Sequence, residues 1–201
     1  MKTSLIILAF FCAGLLMGLG HWMPPQWLEA DLSLYALYVL MLLVGISVGS
    51  DHRSLSAIRR QGARLALVPI ITILGTLTGV SLVSVFSDTL GLVEALAVGA
   101  GFGYYSLSSV IIGELHSEAL GVVALLSNVM REIITLLFAP LMVILLGKLA
   151  PIAAAGATSM DTTLPIIVAS SGKEYAIVAL FHGIVLTLMV PFMVTLILSF
   201  L

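Results

Sequence analysis

Polar residues punctuate this chain only briefly. Apolar runs fill residues 3–20, 32–50, 65–86, 93–113, 119–147, 152–171 and 175–200, joined by short polar stretches. The runs lack the alternation of barrel strands. Most come near the ~20 residues that a helix needs to cross a ~30 Å hydrocarbon core. The pattern predicts an all-α polytopic membrane protein with about seven hydrophobic segments. With no linker or soluble insert, residues 1–201 are expected to form a single transmembrane domain.

Two of these segments break the pattern. Segment 93–113 contains GAGFGYYSLSS and segment 152–171 contains AAAGATSMDTTLP. Gly101, Gly103 and Gly156 weaken a helix, and Pro165 cannot donate a backbone hydrogen bond to one. Backbone groups freed in this way must be satisfied by protein or water, because lipid offers them nothing. Both segments are therefore expected to be discontinuous or re-entrant, and paired interrupted segments point to a transporter binding site. Close helix packing through small residues explains the glycines equally well, but not an aspartate in the same window.

Composition sharpens the picture. The chain is 61% hydrophobic and 9% charged, with a net charge of −2. So few charges could not coat a soluble globule. There is no basic stripe with interleaved aromatics to bind nucleic acid. The lone Cys12 sits in an apolar run and cannot form an internal disulfide. Four basic residues, Arg53, Arg59, Arg60 and Arg64, place the loop after segment 2 in the cytoplasm. Trp22 and Trp27 suit the opposite interface. Seven full crossings then put Lys2 and Lys173 inside and the C-terminus outside, with Lys148 alone on the outer side. The N-terminal run has no convincing cleavage site, so a retained first helix is expected.

Charged and polar residues inside the apolar runs are the candidate chemistry. Asp161 lies about ten residues from either end of its segment, or ~15 Å at helical rise. A charge at that depth persists only if it is neutralised, paired, or met by water and substrate. Asn128 and Glu132 are four apart and share a helix face, with Arg131 beside it. Arg131 and Asp161 are candidate partners, although such a pair can also serve only to fix a bundle. Tyr104, Tyr105, Ser106, Ser108 and Ser109 offer hydroxyls in the first broken segment. Thr158, Ser159, Thr162 and Thr163 do so in the second. His182 reads as a structural group bonded to its own helix. No nucleophile elbow, P-loop or HExxH motif is present, and no Cys/His set has metal-ligand spacing. Neither an enzyme nor a cofactor or metal site is expected.

The stretches GFGYYSLSSVIIGE, SNVMREIITLLFAP, GATSMDTTLPII and HGIVLTLMVP, with LLVGISV upstream, resemble the LysO family of bacterial lysine exporters. That resemblance implies export of L-lysine and its analogues across the inner membrane, with Glu132 and Asp161 at positions matching acidic residues implicated in the family. Longer members carry a further N-terminal region with another intramembrane acidic residue. A small separate subunit or self-association is therefore expected. On this reading Asp161 or Glu132 binds an ammonium group, half-helix N-termini bind the carboxylate, and competition between proton and cation gives antiport. A cation/proton antiporter, an organic-anion carrier and a non-transporting scaffold subunit are the rival readings.

Overall fold

The computed structural model describes residues 13, 14, 16–20, 35, 39, 42, 64–87 and 89–201. The expectations for Cys12, Trp22, Trp27, the arginines before Arg64 and most of the first two segments lie outside those residues. From residue 64 onward the chain forms α1 (Arg64–Val85), α2 (Leu92–Gly99), α3 (Tyr105–Leu115), α4 (Glu118–Leu146), α5 (Ala150–Ala155), α6 (Leu164–Ser171) and α7 (Ala176–Leu198). Short 3-10 turns, Gly156–Met160 and Lys173–Tyr175, follow α5 and α6. Helices α1, α4 and α7 are long and apolar enough to cross a membrane. The protein is an all-α membrane protein, and no strand occurs among the described residues.

Both glycine-rich segments are broken as expected, at residues 100–104 and 156–163. Of the two expected outcomes, discontinuous or re-entrant, the structure shows re-entry, because each broken segment doubles back. A continuous helix over residues 94–116 would hold its ends ~33 Å apart. Instead the Glu94 carboxylate lies 3.2 Å from the His116 ring. In the second segment the Ser171 hydroxyl donates to the Lys148 carbonyl at 2.8 Å, and Lys148 Nζ lies 3.5 Å from Glu174. Helices α2 and α3 thus form one hairpin, and α5 and α6 another.

This corrects the count of seven full crossings, since two of the five segments in the described region re-enter. The physical cause is the backbone at the tips. Phe102, Gly103 and Gly156 have φ of 44°, 92° and 67°, values that an α-helix cannot contain. The correction also removes the one misplaced charge. With α2–α3 returning to its own side, α4 runs back toward the side where α1 begins. Lys148 then lies with Lys173 on the side where α1 begins, as the positive-inside rule asks.

The three long helices turn polar residues inward. On α4 the buried positions are Leu120, Gly121, Ala124, Asn128, Glu132, Thr135 and Ala139, recurring every three or four residues. Its other faces leave large apolar side chains such as Leu137, Leu141 and Ile144 exposed, as lipid permits. Ser117 starts α4 by accepting the Leu120 N–H at 3.3 Å, a serine N-cap. Gly121 lets α3 come close, since a Cβ there would sit 2.8 Å from the Ser109 carbonyl oxygen. A core of Phe102, Leu107, Ile112, Leu186, Val190 and Val194 joins the first hairpin to α7.

Candidate functional site

The two hairpin tips meet. The Ala157 N–H donates to the Phe102 carbonyl at 2.8 Å. A Cβ on Gly156 would lie 2.0 Å from that same oxygen, and one on Gly103 would lie 2.6 Å from the Ala155 oxygen. Glycine is needed at both places for space as well as for φ. Pro165 does not make the break. It falls in the first turn of α6, where its missing N–H has no helical partner to lose.

Freed backbone groups find side-chain partners on α4. Asn128 Oδ1 accepts the Gly103 N–H at 2.7 Å, while Nδ2 donates to the Ala124 and Val98 carbonyls at 2.9 and 3.4 Å. Gly101 makes room for that amide, since a Cβ there would sit 2.6 Å from Nδ2. Arg131 serves the second hairpin. Its Nε donates to the Ala154 carbonyl at 2.7 Å and a terminal nitrogen donates to Ala153 at 2.9 Å. Those carbonyls close α5, where a half-helix gathers partial negative charge and lacks partners. The expected pairing of Arg131 with Asp161 is absent, because the guanidinium is engaged by these carbonyls and by Thr76 Oγ1 at 3.4 Å.

The two acidic residues occupy different settings. Glu132 is 1% exposed. Asp161 is exposed, at the bend before α6, and its carboxylate accepts the N–H and hydroxyl of Thr162. The expectation of two sheltered carboxylates therefore holds for Glu132 alone within the described residues. Glu132, Asp161 and Tyr105 nonetheless lie within electrostatic range of one another, and Tyr104 within range of Asp161. Tyr104, Tyr105, Glu132 and Asp161 thus share one electrostatically coupled, acidic region beside the tips.

Several candidate hydroxyls are committed elsewhere. Ser108 donates to the Tyr104 carbonyl, Ser109 to Ser106, Thr158 to Ala155 and Thr163 to Thr158. Ser109 also turns toward α4, into a crevice with Gly113 and Gly121. His182 departs from its expected role as a group bonded to its own helix. Fully buried on α7, it shares hydrogen bonds with Ser159 Oγ at 3.2 Å and Thr72 Oγ1 at 3.0 Å. It therefore ties the second tip to α1. Sequence reading missed Thr72 and Thr76, whose i,i+4 spacing on one face of α1 was the available signal.

Three long apolar helices enclosing two re-entrant hairpins that meet tip to tip define an integral membrane protein of the broken-helix class. The chain belongs to the lysine exporter family, since a family profile described as "Lysine exporter LysO" matches residues 8–198. A lysine exporter LysO from Escherichia coli (strain K12) is 32% identical over 166 residues, 82% of this chain and 54% of that protein. The chain thus spans about half the length of that relative. A Haemophilus influenzae protein with a provisional lysine-exporter assignment is 32% identical over 196 residues, 96% of this chain and 97% of that one. No solved structure matches the chain.

Proposed function

We propose that the protein exports L-lysine and its analogues across the bacterial inner membrane as a proton-coupled antiporter, with the whole chain acting as one transmembrane domain. The observation that carries this reading is the acidic cluster beside the two tips. Glu132 and Asp161 lie within electrostatic range of each other, next to unwound backbone in a membrane-spanning protein. Two carboxylates within electrostatic range of each other attract a cation jointly, most strongly at the buried Glu132. A proton and an ammonium group then compete for the same oxygens, which makes their movements opposite. The names of the relatives supply lysine as the cargo.

The remaining tip residues have supporting work. Asn128, Arg131 and His182 hold the two tips so that the acidic pair keeps its place. Tyr104 and Tyr105 line the same cluster with hydroxyls able to accept from an ammonium or donate to a carboxylate.

Uptake of labelled lysine into proteoliposomes, with a proton gradient imposed in either direction, tests the proposal. Lysine should accumulate inside vesicles whose interior is more acidic than the bath, as protons leave, and should be expelled when the gradient is reversed. Exchange of Na⁺ or of an organic acid in place of lysine would refute it.

A further inference from the structure

Arg131 has a second face. Its three bonded acceptors are two carbonyls and a hydroxyl, and no carboxylate forms a salt bridge with it among the described residues. The end of α5 offers roughly half a negative charge. A full guanidinium charge beside it therefore leaves a positive remainder inside the membrane region, where charges are weakly screened. That remainder borders two adjoining cavities. One, of about 310 Å³ between α1 and α4, is lined by Gly75, Thr76, Val98, Ser127, Asn128 and Arg131 among others. The second, of about 400 Å³, shares Ser127 and Arg131 with it and adds Thr135. Among the described residues, neither wall contains an acidic side chain.

The opposite sign lies one residue away. Arg131 and Glu132 are neighbours on α4 and diverge by ~100° around its axis. Positive cavity and acidic cluster thus flank the same helical turn. An amino acid with a carboxylate at one end and ammonium groups elsewhere matches that separation. The helix N-terminus beside Asp161 is a poor rival for the carboxylate, because the Thr162 N–H is already bonded to Asp161. We infer that the cavity between α1 and α4 is the carboxylate subsite, in which Arg131 and the hydroxyls of Thr76 and Ser127 receive the carboxylate of the transported amino acid. This assignment rests on the export reading above. It makes Arg131 a specificity-determining residue in addition to a clamp on α5.

The test compares two probes, L-lysine and 1,5-diaminopentane, which is lysine without its carboxylate. Binding of each is measured calorimetrically to the full chain in detergent, for the parent protein and for Arg131→Lys, Thr76→Val and Ser127→Ala. The last two spare the bonds from Arg131 to Ala153 and Ala154. The parent should prefer lysine by about tenfold or more, the scale of a hydrogen bond to a charged group. The variants should lose most of that preference by weakening lysine binding alone. Equal weakening of both probes in all three variants would reduce Arg131 to a structural clamp and overturn the inference, as would a parent with no preference. A parent that binds neither probe would instead bring down the export reading itself.

Discussion

At the scale of single residues, the site is held by side chains that repair broken backbone. Asn128 alone satisfies one freed N–H and two carbonyls. Asn128→Ala leaves the Gly103 N–H buried without its partner and is expected to cost about 1–3 kcal/mol. Denaturation in detergent should show a lowered transition; an unchanged one would mean that water replaces the amide. Asp161→Asn should abolish proton-coupled lysine exchange while the folded fraction stays the same, since Asp161 is exposed and, among the described residues, its side chain bonds to its neighbour Thr162. Normal exchange by that variant would remove Asp161 from the transport chemistry. Which residues come together near the tips was legible where their chemistry is unusual for lipid, as with Glu132, Asp161, Asn128 and Arg131. Their partners were not. A backbone carbonyl has no signature in sequence, so Arg131 was matched with an aspartate when its actual acceptors are Ala153 and Ala154.

At the scale of elements, glycine placement decides whether a segment turns back. Gly156 combines a φ of 67° with a position that a Cβ would bring onto the Phe102 oxygen. Among the described residues, nothing lies within 4 Å of a Cβ built on Gly147, whose φ is 93°, or on Gly79. The three alanine variants should therefore grade. Gly79→Ala should stay within ~0.5 kcal/mol of the parent. Gly147→Ala should lose about 1–2 kcal/mol through its backbone alone. Gly156→Ala should fail to yield a monodisperse protein on size-exclusion chromatography, and a stable Gly156→Ala protein would show that the tips need not touch. The interruptions were readable because Gly marks them along the chain, and re-entry was one of the two outcomes expected. Which of the two occurs was not readable, because it depends on pairs far apart in sequence. Glu94 meets His116 across 22 residues, and Ser171 meets Lys148 across 23.

At the scale of the whole molecule, the hairpins reset the topology. One charge already signalled the error: Lys148 was the only basic residue outside when every segment crossed, and re-entry moves it to the basic side. In a chain lacking Cys12, cysteines at positions 89 and 116 should react with a membrane-impermeant maleimide from one face of the membrane. Cysteines at 148 and 173 should react from the other. Labelling of 89 and 116 from opposite faces would restore a full crossing for that segment. The order hairpin then long helix occurs twice, as α2–α3 with α4 and again as α5–α6 with α7. The two hairpins enter from opposite faces, so these units run in inverted directions, the arrangement found in many carriers.

On the export reading proposed above, the few residues where the hairpins touch separate the two sides of the membrane. Their seam includes one amide bridge between Phe102 and Ala157. Parting that seam requires new torsions at a handful of loop residues, while α1, α4 and α7 can stay straight and embedded. Leakage and turnover are consequently governed by the same small patch. Substitutions that loosen it should raise passive ion permeability before they alter how tightly cargo is held.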